Sequence, residues 1–186
     1  MLGMLPQCSD RNPVSSRSSQ GSGYSWYLQN PLPTSNTLLD VEFIGPNEAF
    51  AVGGGATLLH TTDGGQSWQY SPSLGFTASS ICFVDHWRGW AVGGGGRIAH
   101  TQDAGQTWSR QQSGTSAYLT AVTFVDEQNG WAVGSSGTVL RTTNGGRWWT
   151  VLSGCESCDL NDVLFVDNRN GWAVGHNSGY SNGAEL

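Results

Sequence analysis

The chain has 186 residues, a net charge of −6, 27 glycines, nine tryptophans and only 12 % charged residues. One domain's length with ample aromatics and sparse charge excludes a disordered chain. No apolar run nears the ~20 residues of a membrane-spanning helix, and the acidic balance excludes the basic face that nucleic-acid binding needs.

Residues 1–23 carry Ser, Arg and Gly without order signals and are expected to form a disordered tail. Met1–Leu5 is too short for the apolar core of a signal peptide, and Leu5-Pro-Gln-Cys8 makes a poor lipobox. Ser25–Gln29 reads as a lone strand. From Leu38 the chain becomes periodic. Four short strands, each bounded by Gly, Asn or Asp, are expected over 38–73, and again over 79–112 and 119–153. Residues 160–175 supply only the first two strands of a further unit. Phe43, Phe83, Phe124 and Phe165 mark the repeat, as do Trp68, Trp108 and Trp149, all at intervals of 40 or 41. The segment Ala-Phe-Ala-Val-Gly53 returns as Gly-Trp-Ala-Val-Gly ending at Gly93, Gly134 and Gly175 with the same interval.

One small twisted sheet cannot bury both faces, but it can when packed between copies of itself around an axis. The expected fold is therefore all-β: a propeller of four-stranded antiparallel blades, with about three and a half blades in 24–186. Rings hold 4–8 blades, so this arc leaves sheet faces and strand edges uncovered. A longer gene product carrying the rest of a seven-bladed ring, or self-association of two copies through the open edges, would complete it.

The turn before each outer strand reads Thr61-x-Asp63-x-Gly65-x-Ser67-Trp68, then Thr101-x-Asp103-x-Gly105-x-Thr107-Trp108, and in a degraded copy Thr142-x-Asn144-x-Gly146-x-Trp148-Trp149. This resembles the Asp-box, or bacterial neuraminidase repeat. The Asp accepts hydrogen bonds from its own turn, Gly supplies a positive φ, and Trp fills space between sheets. These residues are read as architecture. Calcium wants six to eight oxygens, each box offers one carboxylate, and Asn144 has no charge. His60, His100 and Arg141 share one strand position on different blades, too far apart to share an ion; a weakly basic stripe for a partner's carboxylates is the functional reading. No metal or cofactor is expected.

Residues that break the repeat are the better candidates for contact with a partner. His86, Trp87 and Arg88 stand where sister units carry Glu-Gln-Asn129 and Asn-Arg-Asn170, and Arg97 replaces Thr57 and Thr138. Trp and Arg dominate interface hot spots. His86, Trp87, Arg88, Arg97 and Arg141 are the candidate partner-binding residues. Cys155 and Cys158 read first as a short-loop disulfide, with two free thiols as the alternative.

The pattern L-x-x-V-x-F-x-D-x-x-x-G-W-A-V-G, as in Leu119–Gly134, together with T-x-D-G-G-x-x-W, as in Thr61–Trp68, resembles the photosystem II assembly and stability factors. The resemblance implies a non-catalytic, extracytoplasmic scaffold (periplasm, thylakoid lumen or secreted) that binds a protein partner. In photosynthetic members that partner is a reaction-centre precursor subunit. The chain's eight Arg residues are scattered and do not reproduce the family's basic Arg patch. Two alternatives remain: a secreted or cell-surface adhesion propeller, and a sialidase-like glycoside hydrolase fragment, for which no arginine triad or Tyr/Glu nucleophile is recognisable.

Overall fold

The computed structural model describes residues 33–152, 154–155 and 157–177. The tail expected over 1–23, the strand expected over 25–29 and residues 181–186 lie outside them. Three antiparallel four-stranded sheets follow one another along the chain. The first is β1 (Leu38–Phe43), β2 (Ala49–Gly53), β3 (Thr57–Thr61) and β4 (Gln69–Tyr70). The second is β5 (Ala78–Phe83), β6 (Gly89–Gly93), β7 (Arg97–Thr101) and β8 (Ser109–Gln112). The third is β9 (Leu119–Phe124), β10 (Gly130–Gly134), β11 (Val139–Thr142) and β12 (Thr150–Leu152). A two-stranded sheet of β13 (Cys158–Phe165) and β14 (Gly171–Asn177) closes the series. The chain is an all-β, open arc of about three and a half propeller blades. Each sheet is a simple meander. The β1–β2-type loops and the Asp-box turns therefore share one end of the arc, while the β2–β3-type turns and the blade-to-blade linkers share the other.

The core is split into layers between blades. One layer joins Phe50, Val52 and Leu58 of the first blade to Phe76, Ile81 and Phe83 of the second. The next joins Trp90, Val92 and Ile98 to Leu119, Val122 and Phe124, and the last joins Trp131 and Val133 to Val163, with Phe165 against them. Period-2 alternation produces this division: in β5, Ile81 and Phe83 face backward while Cys82 between them faces forward.

A repeated aromatic stack fills each seam. Phe50 lies 5.2 Å from Phe83 of the next blade, Trp90 3.6 Å from Phe124 and Trp131 3.7 Å from Phe165, all nearly parallel. The Asp-box Trp of the following blade adds an edge contact, Trp108 on Phe83 and Trp149 on Phe124. The first glycine of Gly-Trp-Ala-Val-Gly makes room for this. Gly89 pairs with Phe83 across the ladder, and a Cβ there would sit 2.7 Å from the Phe83 ring. Gly130 and Gly171 face Phe124 and Phe165 in the same way. Only a bare backbone lets the ring lie flat for its neighbour.

Hydroxyl groups tie the seams at their inner edge. Ser79 Oγ donates to the carbonyl of Leu119, and Thr120 Oγ1 donates to that of Leu160 at 2.6 Å.

Candidate functional site

The Asp-boxes build the end of the arc on which most candidate residues lie. In the first, the Thr61 hydroxyl donates to Asp63 Oδ1 (2.8 Å) and accepts from the Gly65 amide (2.9 Å). Asp63 also accepts from the Ser67 amide and hydroxyl, at 2.9 and 2.6 Å. Led by the Ser67 hydroxyl, these bonds hold the Asp63 carboxyl down at about 2. Asp103 repeats the arrangement with Thr107 and Thr101, and its pKa is lowered for the same reason, the Thr107 hydroxyl first. Asn144 accepts from Thr142 and from the Trp148 amide, both at 3.0 Å, so the third box keeps its turn without the charge. Each box is also tied to the β1–β2-type loop of its own blade: Gly64 N–H to Asn47, Ala104 N–H to Trp87 and Gly145 N–H to Gln128.

That loop–turn pairing positions His86, Trp87 and Arg88. The Asp85 carboxylate accepts from the amides of Trp87 (2.8 Å) and Arg88 (2.7 Å), and Arg88 Nη2 reaches its other oxygen at 2.7 Å. Burial pushes the Asp85 carboxyl up, but the Arg88 guanidinium and the two amides outweigh it and hold it below the usual range. Arg88 also pairs across the seam with Glu127 of the third blade. At the equivalent place in the preceding seam, Glu48 pairs with His86 (3.2 Å) and with His60 (2.9 Å). The same two repeat positions thus carry the carboxylate on opposite sides of consecutive seams, Glu48 on the earlier blade and Glu127 on the later one. Trp87 is left 55 % exposed, its backbone fixed and its ring edge-on to His86.

Two clefts open at this end, one lined by Trp87 and the other by Arg88. One, about 480 Å³, runs between the first and second blades and is lined by Glu48, His60, Tyr70, His86, Trp87 and Gln106 among others. The other, about 340 Å³, runs between the second and third blades past Arg88, His100, Gln111, Glu127, Asn144 and Arg147. Burial first, and then the nearby Arg88 charge, push the His100 pKa down, so its ring is neutral at pH 7.

The five candidate contact residues do not form one patch. His86, Trp87 and Arg88 sit together at the box end. Arg97 begins β7 and lies at the opposite, linker end. Arg141 sits beneath its neighbours: its guanidinium carbon is 5.6 Å from the Trp131 ring centroid, and its Nε is buried without a hydrogen-bond partner. His60 and His100 occupy the same place, stacked on Phe50 (4.3 Å) and Trp90 (4.7 Å), their cross-strand partners. The column of His60, His100 and Arg141 thus caps the aromatic stacks. Glu127, Arg147 and Trp148, the last 77 % exposed, also belong to the box end but escaped the sequence reading. Their signal was available, since each departs from its repeat equivalents. Cys155 and Cys158 are joined in a disulfide at the linker end, where the Gly137 amide donates to the Cys158 carbonyl.

A family model described as "Photosynthesis system II assembly factor YCF48" matches residues 19–111 and 71–143. The chain belongs to the YCF48 family. A 38-residue stretch is 50 % identical to the photosystem II assembly protein Ycf48 of Thermosynechococcus vestitus, spanning 20 % of this chain and 11 % of that one. The solved structure "YCF48 bound to D1 peptide" is 30 % identical with a TM-score of 0.59, over 65 % of this chain and 41 % of the YCF48 chain. The chain thus spans less than half the length of the YCF48 proteins it matches. A GH74 enzyme of Niastella koreensis shares the fold with a TM-score of 0.65 over 78 % of this chain and 27 % of its own, at 16 % identity.

Proposed function

We propose that this YCF48-family chain is a non-catalytic scaffold that binds a segment of the photosystem II D1 subunit at its box end. The observation that carries the reading is Trp87, a large exposed ring on a backbone fixed by Asp85 and Ala104, lining the cleft between the first and second blades. An exposed aromatic flanked by arginine is the kind of anchor that dominates protein interfaces. Arg147, in the cleft past Arg88, suits a peptide's carboxylates. The binding named for the solved relative supports D1 as the partner. The carboxylates lining the clefts support a role without catalysis: Glu48 is engaged by His60 and His86, and Glu127 by Arg88. We place the chain outside the cytoplasm, a reading supported by the Cys155–Cys158 disulfide, which persists in oxidising compartments.

Fluorescence anisotropy of a labelled D1 peptide titrated with the purified chain tests this. Saturable binding, weakened about 10-fold or more by Trp87→Ala, is expected. Turnover of a fluorogenic sialoside or glucan by the same preparation would contradict it.

A further inference from the structure

The cleft that Trp87 lines lies in an internal seam, bounded by two complete four-stranded sheets. Its charge is unlike that of its neighbour. Among the described residues lining it, Glu48 alone is a carboxylate and none is Arg or Lys. The cleft one seam further carries Arg88 and Arg147 against the single carboxylate of Glu127, with His100 neutral. Hydrogen bonding fixes how Glu48 is presented. Its Oε1 lies 2.9 Å from His60 Nε2, and its Oε2 lies 3.2 Å from His86 Nδ1. An ionised carboxylate only accepts, so both facing nitrogens carry a proton, and in neutral rings the other two nitrogens are acceptors. The two bonds hold the carboxylate in place and leave about two of its roughly four lone-pair sites for another donor. Gln69, opposite His60 in the β3–β4 ladder, and Gln106 of the Asp-box turn add amide groups to the same cleft. Trp87 adds an aromatic surface that is more than half open, on a backbone held by Asp85 and by the Ala104 amide. His86 touches both Glu48 and the Trp87 ring, so carboxylate and indole stand either side of one imidazole.

We propose that this cleft is a binding site for an arginine side chain, whose guanidinium donates to Glu48 and lies against the Trp87 indole. Preformed acceptors, one net negative charge and a fixed indole are the complement of that group, which donates from a rigid fork of N–H bonds and stacks on aromatic faces. Glu48 is only 21 % exposed, so its charge is screened less than that of a surface carboxylate. The inference rests on the reading of Trp87 as the anchor of a bound segment. It adds that the segment brings a cation to the first seam and a carboxylate to the second.

Nuclear magnetic resonance of the isotope-labelled full chain tests the proposal, with N-acetyl-arginine amide as the probe. The titration is run at about pH 8, above the range in which histidine ordinarily takes up a proton. The Trp87 indole N–H, identified by its loss in Trp87→Phe, is expected to shift saturably, with half-saturation at about 1–10 mM. The neutral N-acetyl-glutamine amide should leave it in place. Glu48→Gln keeps the shape and still accepts from both histidines, so its circular dichroism should match the wild type while the response weakens about 10-fold or more. No saturable shift below about 50 mM overturns the proposal. So does an equal shift with the neutral amide, or a response that Glu48→Gln leaves intact. The labelled D1 peptide keeps the two readings apart. D1 binding without an arginine response overturns the arginine site alone, whereas an arginine response without D1 binding supports the site and counts against D1 as the partner.

Discussion

Trp90 and Trp172 hold the same place in their blades, yet among the described residues only Trp90 has a following blade to pack on. Trp90 is fully buried, lies 3.6 Å from Phe124, carries the His100 ring on its other side and donates from Nε1 to the Gly145 carbonyl at 3.3 Å. Trp90→Ala removes this packing and leaves a cavity, a loss of about 3–5 kcal/mol. The Gly145 carbonyl keeps the Gln111 amide at 2.9 Å, so no further ~1–3 kcal/mol for an orphaned acceptor is added. Trp172→Ala removes a mostly exposed ring and should cost within about 0.5 kcal/mol. Urea unfolding followed by circular dichroism reads both. If the two substitutions cost the same, or if Trp90→Ala is neutral, the description of the fold as sheets stabilised by their seams fails.

Ala104 sits at φ 55° where the sister turns carry Gly64 and Gly145, so Ala104→Gly should raise stability by about 0.5–1 kcal/mol in the same assay. Gly105→Ala should cost about 1–3 kcal/mol, because φ is 74° and the new methyl would lie 2.8 Å from the Phe50 ring. Gly95→Ala, at a similar φ but with open space around it, should cost less. The Asp63 carboxyl is lowered in the folded chain to about 2 from an unfolded value of about 3.9. Its contribution is therefore complete above the unfolded value and lost as pH falls toward 2. Asp63→Asn, which copies the natural Asn144 turn, should fold and show a shallower loss of thermal stability across that window.

The repeat, the blade and the Asp-box turns were legible in the sequence because each rests on residues close along the chain or at a fixed interval. The cross-seam pairs were not. His86 meets Glu48 and Arg88 meets Glu127, so the carboxylate changes sides from one seam to the next, and no repeated pattern marks these pairs. His60, His100 and Arg141 suggested a polar stripe because their ring partners, Phe50, Trp90 and Trp131, are set by strand register. Arg97 could have been separated from Trp87 by following the meander, since β7 starts at the end opposite the β5–β6 loop. Trp148 was absorbed into a degraded box, although its side chain is among the most exposed apolar surfaces of the chain.

Photo-crosslinking of a D1 peptide to the chain, with the attached residues located by mass spectrometry, tests most directly where and what the arc binds. Attachment within 84–88, 102–106, 126–128 and 144–148, abolished by excess unlabelled peptide, is the predicted result. Attachment confined to 94–97, 113–118 and 135–137, or none that unlabelled peptide displaces, would contradict it.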